Sequence, residues 1–151
     1  MNRAENRRLS WDEIRKIHPL LPNESFGWHV HTSGGGWVQG TTKIGADCFV
    51  ANTAIVKGYA QLSNRARVLD QSVVSGNSIV GGFAQILDKA CICGRAVVRG
   101  RVKICDDSRV CDVARLGGCV ELIGSAVVGG DVQLFDWERI VDRELYSMED
   151  V

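Results

Sequence analysis

From Val38 onward every sixth residue is aliphatic: Val38, Ile44, Val50, Val56, Leu62, Val68, Val74, Val80, Ile86, Ile92, Val98, Ile104, Val110, Leu116, Leu122, Val128 and Leu134. Aliphatic residues make up roughly a quarter to a third of a globular chain, so an unbroken column of this length excludes chance. Two residues before most column members sits a small side chain, as at Cys48, Ala54, Ala60, Ala66, Ser72 and Ser78. Two residues after it sits a turn former, as at Asn52, Gly58, Asn64, Asp70 and Gly76. Alternation with period two puts the aliphatic and small residues on one side of a short strand. The Gly, Asn or Asp that follows turns a corner, because those residues reach positive φ cheaply. A six-residue unit of strand and corner cannot bury its inner side alone, so successive units must wrap around a shared core. The period predicts a solenoid and excludes helical bundles and ordinary sandwiches.

Units such as "IGADCF", "VANTAI", "VSGNSI" and "LIGSAV" resemble the hexapeptide-repeat family. That resemblance implies an all-β, left-handed parallel β-helix with three hexapeptides in each triangular coil. The left hand is implied by the family alone and runs against the usual crossover rule. About five coils, stacked at roughly 4.8 Å, give a prism about 25 Å long. The "SGGGWV" lead-in is similar to that of small bacterial or phage members rather than of the large acyltransferases.

Residues 1–35 are read as an N-terminal helix and lead-in, 36–136 as the repeat, and 137–151 as a C-terminal helix and tail. Ser10-Trp11-Asp12-Glu13 is a capping box, opening a helix that stops before Pro19. Asp136 is expected to cap the second helix, whose stripe of Trp137, Ile140, Val141 and Leu145 would cover the open end or a side of the last coil.

Composition narrows the partners. Eighteen basic and eighteen acidic residues cancel, which leaves no global field to draw the chain to nucleic acid or an anionic membrane. No run of eighteen apolar residues and no signal-type apolar segment occurs, so a cytoplasmic protein without a membrane partner is expected. The six cysteines, at 48, 91, 93, 105, 111 and 119, form no C-x2-C pair and read as reduced thiols.

Residues eighteen apart should stack in columns on the outer faces. One column runs Ala51, Leu69, Leu87, Cys105, Ile123; another runs Ile55, Val73, Cys91, Arg109, Val127, headed by Trp37. Such stripes either suit strand surfaces beneath a terminal helix or form an oligomer interface. The resemblance favours self-association as a homotrimer or dimer, with another protein as a further partner. Cys91 and Cys93 point outward, and Cys111 lies one coil beyond Cys93, a thiol cluster without a fourth ligand and therefore not expected to hold metal.

His29 and His31 point to one side of an extended segment and are the candidate bases. Arg95, Arg99, Arg101 and Arg115 form a candidate anion site. Enzymes of the resembled family carry long loops and a histidine base in or near them. This repeat has no inserted loop, so a non-catalytic scaffold or binding module without cofactor is the leading expectation. The alternative is an acyltransferase-like enzyme using coenzyme A. The metal-dependent branch of the family needs histidines on the coils, and all three histidines precede them.

Overall fold

The computed structural model describes residues 8–146. One helix, α1 (Trp11–Ile17), precedes twenty short strands. The first face contains β1 (Trp28–Val30), β2 (Trp37–Gln39), β5 (Ile55–Val56), β8 (Val73–Val74), β11 (Cys91–Ile92), β14 (Arg109–Val110), β17 (Val127–Val128) and β20 (Glu144–Leu145). The second contains β3 (Lys43–Ile44), β6 (Gln61–Leu62), β9 (Ile79–Val80), β12 (Val97–Val98), β15 (Arg115–Leu116) and β18 (Gln133–Leu134). The third contains β4 (Phe49–Val50), β7 (Arg67–Val68), β10 (Gln85–Ile86), β13 (Lys103–Ile104), β16 (Glu121–Ile123) and β19 (Arg139–Val141). Every third strand after β2 joins the same sheet in parallel, so the chain winds an all-β parallel solenoid of about six turns.

The inward column carries the core. Val50, Val56, Val68, Ile86, Ile92 and Ile104 are wholly buried, and the small residues beside them, such as Ala54, Ala60 and Ala90, are equally enclosed. Each large aliphatic side chain so buried contributes about 1.5–3 kcal/mol. Where a serine replaces alanine its hydroxyl is satisfied: Ser72 Oγ donates to the Leu69 carbonyl at 2.6 Å and Ser78 Oγ to the Ser75 carbonyl at 2.7 Å. Cys48 occupies the same kind of position, fully buried.

The corners explain the choice between glycine and aspartate. Asp70, Asp88 and Asp106 take φ of 56°, 58° and 60°. Each carboxylate accepts from the backbone N–H eighteen residues on: Asp88 N donates to Asp70 Oδ2 at 3.0 Å, Asp106 N to Asp88 Oδ2 at 2.9 Å and Gly124 N to Asp106 Oδ2 at 2.8 Å. At a neighbouring corner Gly76 is stacked so tightly that a Cβ would lie 2.6 Å from the Gly94 carbonyl oxygen. Aspartate thus staples one edge of the prism while glycine lets another pack closely.

The expected C-terminal helix is not formed. Residues 139–141 and 144–145 are β19 and β20, which extend the solenoid beyond residue 136 and raise the count from about five turns to about six. Ile140 continues the six-residue column, 4% exposed, whereas Trp137 is 86% exposed and Val141 44%, opposite to what a covering helical stripe requires.

Candidate functional site

The N-terminal segment is folded against the first face. Ser10 and Glu13 close the capping box, with Glu13 N donating to Ser10 Oγ at 3.1 Å and Ser10 N to Glu13 Oε1 at 2.9 Å. Trp11 packs against both Trp28, tilted, and Trp37, edge to face, at centroid distances of 5.2 and 5.1 Å. Trp37 Nε1 donates to the Leu9 carbonyl at 2.8 Å. Ile14 is wholly buried in a cluster with Leu9, Leu21 and Ile55. Ile55, expected in an oligomer interface, is only 1% exposed because α1 and its flanks cover it. Trp37 and Val73 pack against the same cluster. The apolar head of the first-face column is therefore used within the chain, by the N-terminal helix rather than a C-terminal one.

At the end of α1 a groove of ≈ 470 Å³ opens between residues 17–21 and the first face. Its wall is Ile17, His18, Pro19, Leu20 and Leu21. Its floor is two stacked columns fixed by strand register: Ile55, Val73, Cys91, Arg109, and beside them Lys57, Ser75, Cys93. Three strand steps separate Ile55 from Arg109, about 14 Å. The wall is anchored: His18 Nε2 lies 2.8 Å from the Thr53 carbonyl, Leu21 N donates to the His18 carbonyl at 3.1 Å, and Trp11 Nε1 donates to the Pro22 carbonyl at 3.1 Å. A carbonyl oxygen only accepts, so the proton of a neutral His18 ring sits on Nε2. Burial lowers the His18 pKa and Lys57 adds to that, against the raising effect of the Thr53 carbonyl. Burial pushes the Cys91 thiol up, Cys93 adds to it, and Arg109 and Lys57 pull it down. Cys111 is pushed up to about 11, by burial first and then by Asp112. These thiols are kept protonated and are poor nucleophiles at neutral pH.

The remaining sequence candidates are dispersed. Cys93 and Cys111 are stacked neighbours, as the eighteen-residue period requires, yet Cys91, Cys93 and Cys111 do not converge as a metal group. Among the described residues, the trio whose ligand atoms all lie within 4.8 Å of one another is Asp88, Cys105 and Asp106, in the stapled corner. Arg95 lies in the corner between the first two faces, Arg99 and Arg115 on the second face, and Arg101 in the next corner with its guanidinium 5.6 Å from the Phe83 ring centre. They do not line one pocket. His29 is exposed on β1, while His31 Nε2 meets the Cys48 carbonyl at 3.0 Å and helps to close the solenoid. Leu69, Leu87 and Ile123 stand half-buried in one outward column of the third face. Val127 remains half-exposed on the first face, beyond the groove.

His18, Lys57 and the groove itself carried little signal in the sequence, because nothing local says which face α1 will cover. Two halves of the signal were present: an amphipathic helix around Ile14 needing a partner, and the stripe Trp37, Ile55, Val73 needing a cover. Compared with protein-family models, with curated proteins and with solved structures, the chain matches none. No helix among the described residues is long and apolar enough to cross a membrane.

Proposed function

We propose that this protein is a non-catalytic scaffold of the hexapeptide-repeat type, which self-associates through the third face, as a trimer or dimer, and presents its flat sheets to another protein. The observation that supports this is the column Leu69, Leu87, Cys105, Ile123, which stands outward, half-buried and in register, along a face that no other described element covers. Contiguous apolar surface of this kind marks contacts more often than it is tolerated in solvent. Uninterrupted two-residue strands from β3 to β15 make the faces rigid, a good platform and a poor place to assemble a mobile catalytic loop. The acyl-coenzyme A alternative draws no support from the placement of His29 and His31, one exposed on the capping strand and the other bonded to a backbone carbonyl. No cofactor is needed for the proposed role.

Native mass by multi-angle light scattering tests the reading. A trimer or dimer that Leu87→Lys reduces to a monomer, without loss of the far-ultraviolet spectrum, is the expected result. A wild-type monomer at all accessible concentrations, or strong thermal stabilisation by acyl-coenzyme A, counts against it.

A further inference from the structure

The groove beside α1 has a property that self-association does not use. Its floor between Ile55 and Cys91 and its wall at Ile17 and Leu21 are apolar, yet each end carries a cation, Lys57 at the head and Arg109 at the tail. Neither has a carboxylate within ion-pair distance among the described residues. Leu20 stands on the lip at 94% exposure, an apolar side chain held over the groove with nothing of its own chain to pack on. The wall does not need to form on binding, since His18, Leu21 and Trp11 already tie it down. Preformed concave sites with apolar walls and few placed polar groups are the usual form of small-ligand sites.

We propose that this groove binds an elongated dianion with an apolar middle, an α,ω-dicarboxylate of medium chain length. One carboxylate meets the Arg109 guanidinium, whose paired donors suit a carboxylate fork. The other meets the Lys57 ammonium, three strand steps (roughly 14 Å) along the stack and in the neighbouring column. The methylene chain lies over Val73 and Cys91, beneath Leu20. The Cys91 thiol, which burial keeps protonated, suits that chain because it adds no charge to the middle of the groove. The proposal stands independently of assembly through the third face.

Isothermal titration of the full chain with dodecanedioate, dodecanoate, dodecanediol and succinate tests it. Dodecanedioate is expected to bind most tightly, dodecanoate about tenfold more weakly, the diol more weakly again and succinate not measurably. Arg109→Gln, at an exposed position, and Lys57→Gln, at a half-buried one, should each lower dodecanedioate affinity about tenfold and leave dodecanediol unchanged. Val73→Glu, on the floor, should abolish dodecanedioate binding. Equal affinity for the diacid and the diol would reduce the groove to a greasy patch and overturn the proposal. So would succinate binding as well as dodecanedioate, or no dodecanedioate binding by the folded wild type. Dissociation of a dimer by Leu20→Ser, with no diacid binding, would assign the groove to a second copy of this chain and equally overturn it.

Discussion

The two ends of the solenoid are finished differently. At the N-terminal end β1 runs antiparallel along β2, with His29 opposite Val38, and residues 31–36 cross the edge of β4. Val50 N donates to the Ser33 carbonyl at 3.0 Å, Gly36 N to the Val50 carbonyl at 2.9 Å, and Gly35 bridges Ala51. At the C-terminal end β18, β19 and β20 are the last strands of their sheets, with no further strand paired to them among the described residues. Phe135, Trp137 and Tyr146 are exposed around that end, at 53%, 86% and 45%. A parallel solenoid therefore need not continue its own pattern to protect an edge; a short reversed strand satisfies the same backbone groups. It can do so only where the lid's backbone lies directly on the coil below, which is why "SGGG" precedes β2.

The largest expected effect comes from disturbing that lid. A Cβ at Gly36 would collide with the Ala51 carbonyl oxygen and with Val50 Cγ1, both held by the first turn. Gly36→Val should cost about 3 kcal/mol or more in urea denaturation and deprotect the Val50 amide, which donates to the Ser33 carbonyl of the lid, to hydrogen exchange. Gly40→Ala is the control, because its Cβ would meet only the Gly27 carbonyl oxygen, at 3.2 Å. A Gly36→Val protein as stable as the control would show that the lid does not hold this end closed.

A matched pair of truncations sharpens the contrast. Ile55, 1% exposed, lies beneath α1 at the covered end; Ile140, 4% exposed, lies in the last turn at the open end. Ile55→Ala should fall well within the usual range of about 2–5 kcal/mol. Ile140→Ala should cost about 2 kcal/mol or less, since a terminal turn touches one neighbour and frays before the whole unfolds. Urea midpoints of the two variants decide it, and an equal or larger loss at Ile140 would mean that the open end is no looser than the closed one.

The same contrast separates what was legible from what was not. Inside the solenoid the sequence is local and redundant: each aliphatic residue, small residue and corner repeats the last, and Val50, Ala54 and Asp70 sit where the period puts them. At the open end two periods overlap. Trp137, Ile140, Val141 and Leu145 satisfy helical spacing, while Ile140 alone extends the six-residue column. Leu145 falls one residue early because, although Asp142 at φ 53° turns its corner in register eighteen residues after Gly124, only Arg143 separates it from β20 where two residues follow Gly124, so β20 pairs with β17 at an offset of seventeen, Val128 beside Leu145. At the closed end the obstacle is distance: α1 was readable from its capping box, but its seat on Ile55 and Val73 depends on side chains about forty and sixty residues away.

The smallest effect is a pH dependence confined to the covered end. His18 joins the wall of the groove to the coil through the Thr53 carbonyl, and burial holds its pKa below the ordinary value of 6.5. The unfolded chain therefore takes up a proton more readily than the folded one. His18 contributes its stability in full above pH about 6.5, and that contribution is lost as the pH falls through the depressed folded value. The ring is partly open to solvent, so the change should amount to less than about 1 kcal/mol. Thermal midpoints should be level from neutral pH down to about 6.5 and then decline, while His18→Gln should flatten this step. Protection of the β19 and β20 amides, corrected for intrinsic exchange, should not follow the titration, because every histidine lies within the first 31 residues. A step that survives in His18→Gln, or that appears equally in β20, would remove His18 as the fastening between the N-terminal segment and the first face.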